Sequence, residues 1–195
     1  MLGSNMATYF SHYFDVFATG NSDVDFLGDV QYKKFDLSGD DFYRLIEWSN
    51  PDIIVHCAAL TNGNYCEENP LDAFNINGVS VKKLLDSTSP NVKIIYISTD
   101  AVFPSDLHMA NEKDNVNPQS IYGKSKELGE YYLINSNRDY LIIRTTIVGL
   151  NLNKKKSSFA EWIIGSSINQ EDINLFDDVT FTPISIWHLM DEIKF

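Results

Sequence analysis

The chain has 195 residues, 44% of them hydrophobic, and a formal net charge of −12. That length accommodates one domain with a sizeable core, or a domain with part of another. The acidity argues against a nucleic-acid surface, which needs a basic patch, and no stretch approaches the ~20 apolar residues needed to span a bilayer.

Short apolar runs alternate with longer amphipathic stretches. Asp15-Val16-Phe17-Ala18-Thr19 reads as a strand followed by a Gly20-Asn21 turn, and Gln31-Tyr32-Lys33-Lys34-Phe35 as a second, ending at Asp36. Ser38 is expected to cap a helix to about Trp48, with Asp41 at its N3 position. Asp52-Ile53-Ile54-Val55-His56 reads as a buried strand, and 70–86 as a helix that opens on a proline. A strand over 93–98, a helix over 122–135 packing through Leu128, Tyr131, Tyr132 and Leu133, and a strand over 140–144 follow. Such β-branched and aliphatic runs suit parallel strands covered on both faces. Their alternation with helices predicts a doubly wound α/β sheet. After Gly149 the pattern changes to a helix over 159–168, a short strand near 173–176 and a helix from about Ile186. This divides the chain into a sheet domain, 1–149, and part of a smaller substrate-facing region, 150–195.

Two segments carry chemistry. The strand Ile94-Ile95-Tyr96-Ile97 ends in Ser98-Thr99-Asp100, two hydroxyls and an acid, and Tyr122-Gly123-Lys124-Ser125-Lys126 sets a phenol four residues before an amine. A helix puts positions i and i+4 on one face, so Lys126 accompanies Tyr122 while Lys124 faces away. An ammonium beside a phenol lowers the phenol pKa, and a hydroxyl at a neighbouring strand end can hold a carbonyl oxygen. Strand alternation points Ser98 and Thr99 to opposite faces. Cys57 and Cys66 are too few for a disulfide framework. His12, His56, His108 and His188 lack ligand spacing, so no protein-supplied metal site is expected, and His56 reads as a packed or hydrogen-bonded histidine. No Gly-x-Ser-x-Gly elbow is present. The one basic run, Lys154-Lys155-Lys156, reads as a solvated loop able to steer an anionic substrate. With no basic segment followed by an apolar core at the N-terminus, the expected location is cytoplasmic.

In order along the chain these segments resemble the extended short-chain dehydrogenase/reductases, and among them the dTDP-4-dehydrorhamnose reductases and related sugar-nucleotide reductases. The resemblance rests on the run from Asp52 through Ala58-Ala59 to Thr61, on Glu67-Glu68-Asn69-Pro70, on Ala73-Phe74-Asn75-Ile76-Asn77-Gly78, on Ser98 to Phe103, on Pro118 and Tyr122 to Lys126, on Gly129-Glu130, and on Phe181-Thr182-Pro183 with Leu189. It implies a Rossmann-like fold and NADP or NAD, in reduced form, as hydride donor to a nucleotide-linked 4-keto sugar. Tyr122 would be the general acid, Lys126 would tune it and bind the nicotinamide ribose, and Thr99 would polarise the ketone. Thr61 and Asp100 would join Thr99 and Tyr122 around the substrate. Gly3, Asp36, Leu37, Ala58, Ala59, Thr61, Asn75 and Ser98 would join Tyr122 and Lys126 around the cofactor. Asp36 reads equally as a loop aspartate before a helix, and nothing after Thr19 separates NAD from NADP.

Dehydratases of the superfamily carry Thr-Asp-Glu where this chain has Thr99-Asp100-Ala101, so dehydration is disfavoured; the reductases usually carry Tyr at that third position, which leaves the sugar open. Met1-Leu2-Gly3 resembles the tail of the family's Gly-x-x-Gly-x-x-Gly turn, whose first strand and earlier glycines are not in the chain, and relatives continue past Phe195. The strands at Val16 and Ile54 would then have no strand between them, and weak dinucleotide binding or low stability is the expectation. A nucleotide-sugar epimerase and a non-catalytic binding or regulatory homologue are the alternatives. The expected partner is the nucleotide sugar, with a possible homodimer, and neither nucleic acid nor membrane.

Overall fold

The structure is a computed structural model that describes residues 1–24, 27, 28 and 30–194. Its elements are α1 (Leu2–Phe10), β1 (Phe17–Gly20), β2 (Gln31–Lys34), α2 (Phe42–Ser49), β3 (Ile53–His56), α3 (Gly63–Glu68), α4 (Pro70–Phe74), α5 (Ser80–Ser87), β4 (Lys93–Ile97), α6 (Ile121–Ile134), β5 (Tyr140–Ile143), β6 (Thr146–Val148), α7 (Phe159–Asn169), β7 (Pro183–Ser185) and α8 (Ile186–Ile193). All pairings are parallel: β1 with β2, β4 between β3 and β5, and β6 with β7. Strands and helices alternate as the pattern predicts, in an α/β fold. β1 and β3 do not pair with each other, and each has one hydrogen-bonded strand neighbour among the described residues.

The chain forms two compact units, one of residues 1–34 with 146–195, the other of residues 35–145. In the first, α8 packs its buried Ile186, Leu189 and Met190, and the Asn5 amide of α1 donates to the Leu150 carbonyl at 3.0 Å. The second is built on β4. Ile94, Ile95, Tyr96 and Ile97 are all buried, because β3 and β5 flank the strand and helices cover it. Phe35, Phe42, Val81, Leu84, Leu85 and Leu133 complete this core with Ile94 and Tyr96. Each large side chain so buried contributes about 1.5–3 kcal/mol. Ile53 of β3, with β4 on one side only, is half exposed, so this strand is less buried than expected.

Several local expectations are corrected. Asp41, not Ser38, caps α2: its carboxylate accepts from the Tyr43 amide at 2.9 Å, whereas the Ser38 hydroxyl donates to Asp36 at 2.7 Å. The helix expected over 70–86 is α4 and α5 joined by a π-helical turn, Asn75–Val79, and it is preceded by the unforeseen α3, capped by Asn62. On α6 Leu133 is fully buried but Tyr131 is exposed. No strand forms at 173–176; the parallel partner of β6 is β7.

The seating of α6 depends on glycine. A Cβ on Gly129 would strike the Tyr96 hydroxyl and lie 2.8 Å from the Asn77 carbonyl, both buried. Gly129→Ala is therefore expected to destabilise the fold by about 1–3 kcal/mol despite the better helix propensity of alanine. The midpoint of urea unfolding at unchanged slope measures it.

Candidate active site

The candidate site lies where the end of β4 meets the start of α6. Two contacts satisfy the first-turn amides of that helix. The Ser120 hydroxyl accepts from the Gly123 amide at 3.0 Å, and the Glu67 carboxylate of α3 accepts from the Ile121 amide at 2.8 Å. Tyr122 is thereby held at the second position of α6, and the Ser125 hydroxyl donates back to its carbonyl at 2.7 Å.

The alternation at the strand end separates the two hydroxyls. Thr99 is buried, caps a single 3-10 turn (Asp100–Val102) by accepting from the Ala101 amide at 3.2 Å, and its hydroxyl lies close enough to the Tyr122 phenol to favour the ionised form. Its oxygen is 3.1 Å from the Asp100 carboxylate, which is exposed. Ser98 points the other way and donates to the buried Glu130 carboxylate.

Lys126 is only 2% exposed. Its ammonium donates to the Ile97 carbonyl at 2.8 Å and sits 4.0 Å from the centroid of the Tyr96 ring. Desolvation pulls the amine down to about 7, opposed by Cys57 and Glu130. The Tyr122 phenol is raised, chiefly by burial, against the Thr99 hydrogen bond, with Asp100 and Cys66 pushing it further up. Lys126 is not among the groups that shift the phenol. The spacing puts both side chains on one helix face, but the amine runs inward to β4. His56 packs on Tyr96 with ring centroids 5.6 Å apart, and its Nε2 is buried without a hydrogen-bond partner. Burial, then Lys126, drives its pKa down to about 3. Burial also pushes the Cys57 thiol up to about 12, against a pull from Lys126.

Asn77 is the residue that the motif reading missed. Its amide donates to the Leu60 carbonyl at 3.0 Å and to the Ser125 hydroxyl at 2.8 Å, while its oxygen accepts from the Leu60 amide at 2.7 Å. It pins the loop carrying Ala58, Ala59 and Thr61 to α6. Asn75, expected around the cofactor, is exposed; the π-helical turn gives the buried register to Asn77. The Asn75-Ile76-Asn77 run offered both, and only the turn distinguishes them.

Ala58 and Thr61 are exposed and Ala59 is half-buried, so this loop presents small side chains to solvent. The Asp36 carboxylate accepts from the Ser38 amide at 2.9 Å, which with the Ser38 hydroxyl holds it below the usual range, so it closes a local turn; Leu37 packs on the core. In the other unit Gly3 lies in the first turn of α1. It lines a cleft of about 140 Å³ with Ser4, Thr19, Gly20, Asn21 and Lys156. A Cβ on Gly20 would come within 2.8 Å of the Tyr32 hydroxyl. Small residues and a lysine suit an anionic group such as a phosphate. Among the described residues no group of His, Cys, Asp and Glu could hold a metal, and no helix is long and apolar enough to cross a membrane.

The model of the RmlD substrate binding domain matches residues 1–193. The spore coat polysaccharide biosynthesis protein SpsK of Bacillus subtilis (strain 168) is 33% identical over 135 residues, 68% of this chain and 47% of that protein. A dTDP-4-dehydrorhamnose reductase of Sinorhizobium fredii (strain NBRC 101917 / NGR234) is 33% identical over 141 residues, 69% and 45% of the two chains. The chain spans about half the length of these curated relatives. The crystal structure of a hypothetical dTDP-4-dehydrorhamnose reductase from Sulfolobus tokodaii superposes with a TM-score of 0.83 at 28% identity, over 99% of this chain and 67% of that one. Parallel strands, a hydroxyl-bearing strand end and a Tyr-x-x-x-Lys helix accord with that likeness, and the fold is Rossmann-like. The chain belongs to the family of the RmlD substrate binding domain.

Proposed function

We propose that this chain bears the catalytic face of an NAD(P)-dependent reductase of a nucleotide-linked 4-keto sugar. The observation that carries the reading is the meeting of the buried Thr99 hydroxyl and the Tyr122 phenol at the junction of β4 and α6, close enough that Thr99 acts on the phenol's ionisation. A proton donor to a ketone must be protonated at working pH, and burial of Tyr122 keeps it so. Thr99 would receive the same ketone oxygen and orient it. Asp100, which follows Thr99 in sequence, and Thr61 of the 58–61 loop are both exposed and are assigned to the sugar. Bound reduced nicotinamide supplies the hydride to the keto carbon. In the unit of residues 35–145 we assign Asp36, Leu37, Ala58, Ala59, Thr61 and Lys126 to the dinucleotide, and in the other unit Gly3, which lines the cleft at the start of α1. Functionally we divide the chain at Gly149, with the dinucleotide side in 1–149 and part of the substrate side in 150–195.

Asn77 supports the arrangement without touching the reacting atoms. It ties the 58–61 loop to Ser125, whose hydroxyl holds the Tyr122 carbonyl. Lys126 would meet the ribose only if its amine leaves the Ile97 carbonyl, so cofactor binding and a turn of this side chain are coupled in the proposal.

Supplied with reduced cofactor and a nucleotide-linked 4-keto sugar, the chain is expected to oxidise cofactor in step with loss of the ketone. Interconversion of sugars without net oxidation would instead make it an epimerase. Tyr122→Phe is expected to lower turnover by about 10²–10⁴-fold while cofactor affinity stays nearly unchanged; retained turnover would remove the proton-donor role.

Lys126 also predicts a pH dependence of stability. Its amine is lowered in the folded chain, so between about 7 and the ordinary lysine value the unfolded chain holds the extra proton. Folding stability from this group therefore rises with pH across that window. The stability difference between Lys126→Met and the parent, followed by urea unfolding at successive pH values, should move in favour of the parent as pH rises from neutral toward the ordinary lysine pKa. A difference independent of pH would show that the amine is not desolvated.

A further inference from the structure

Tyr122, Lys126 and Glu130 stand at i, i+4 and i+8 of α6, on one face of the helix. Glu130 is 1% exposed. A buried carboxylate is costly unless it is paired and its lone pairs are filled. Here both oxygens are engaged. Arg144, just past β5, donates from Nε at 3.1 Å to each oxygen and from Nη2 at 2.7 Å to Oε2, and Ser98 donates its hydroxyl to Oε1. The guanidinium carbon of Arg144 lies 5.0 Å from the centroid of the Phe103 ring. One carboxylate thus reaches the residue before Thr99 directly and, through one arginine, the residue that ends the 3-10 turn of Asp100.

We propose that Glu130 is a positioning residue of the site, which locks the helix carrying Tyr122 and Lys126 in register with the 98–103 segment carrying Thr99 and Asp100. The proposal rests on the reductase reading for what is positioned, and on the geometry of the buried cluster for how. Packing alone does not call for these groups, because a buried ion pair is often no more stabilising than apolar residues of the same volume. What an apolar pair would not supply is bonds to two separate elements at fixed angles, and a negative charge one helical turn from Lys126. The groups facing that amine are His56 and Cys57 at the end of β3, the Tyr96 ring and Ile97 carbonyl of β4, and Glu130 on its own helix. Glu130 is the carboxylate among them, and it favours the ammonium.

The test follows Lys126 by NMR titration of the chain carrying carbon-labelled lysine side chains, with Lys126→Met identifying the signal. Glu130→Gln should lower the Lys126 pKa by about a unit, and Arg144→Met, which leaves the carboxylate unpaired, should raise it. The single variants leave a buried charge and risk unfolding. The double variant Glu130→Gln with Arg144→Met leaves neither member of the ion pair unmatched, is expected to fold, and should still lower the Lys126 pKa, because Glu130, and not Arg144, is among the groups that act on that amine. A Lys126 that titrates in the double variant as in the parent overturns the coupling. This arm needs no turnover, so it fails separately from the reductase reading. Ser98→Ala removes one hydroxyl from the cluster and should cut kcat several-fold at nearly constant KM for the sugar. An unchanged kcat in a chain that does turn over overturns the positioning role.

Discussion

The close seating of α6 on β4 is the constraint from which the rest follows. Tyr96, fully buried at the middle of the core, donates its hydroxyl to the Asn77 carbonyl at 3.0 Å and lies within 3.4 Å of the Lys126 carbonyl. Gly129 lets the helix backbone come down over that hydroxyl, and Leu133 fills the core one turn later. A ring that large cannot shift without displacing its neighbours in a close-packed interior. The height of α6 above the strand is therefore set by Tyr96. With the height set, the first turn of α6 falls beside the strand end, where Ser120 and Glu67 satisfy its amides and Tyr122 meets Thr99.

The polar groups inside this unit work against its stability. Lys126 and Glu130 are buried, and a His56 nitrogen has no partner. Apolar burial at about 1.5–3 kcal/mol per side chain in β4 and its cover offsets these costs. Buried polar groups near a strand end are where function and stability conflict. Each of these groups faces Lys126 or the residues next to Thr99, rather than being scattered through the core.

How much of this was legible in the sequence depended on length and on competing partners. The strands β3, β4 and β5 were readable because runs such as Ile94 to Ile97 have no polar alternative to a covered strand, and their bounds agree to within about a residue. The separation of Ser98 from Thr99 followed from alternation alone. The short strands β6 and β7 were not readable, because three residues carry too little pattern. Thr146–Val148 follows β5 so closely that it merges with it, while the apolar residues at 173–176 suggest a strand but find no partner. The buried register of Asn77 was not legible beside Asn75, because the extra residue in the π-helical segment rotates the buried position. The direction of Lys126 was beyond the i, i+4 rule, which gives the face of a helix and not the end point of a four-carbon stem.

That last point bears on the chemistry. A phenol that donates a proton is helped by burial, which disfavours phenolate, whereas an amine that is to stay charged is hindered by the same burial. Both side chains stand on one face of α6, one turn apart, so one environment has to serve opposite ends. In this structure Tyr122 takes the advantage directly, and Lys126 is compensated by an aromatic face, a carbonyl and the carboxylate one turn further on. The spacing Tyr122, Lys126, Glu130 therefore carries more than the Tyr-x-x-x-Lys pair. The third residue opposes the desolvation of the second where the first must remain neutral, and its own charge is in turn balanced by Arg144.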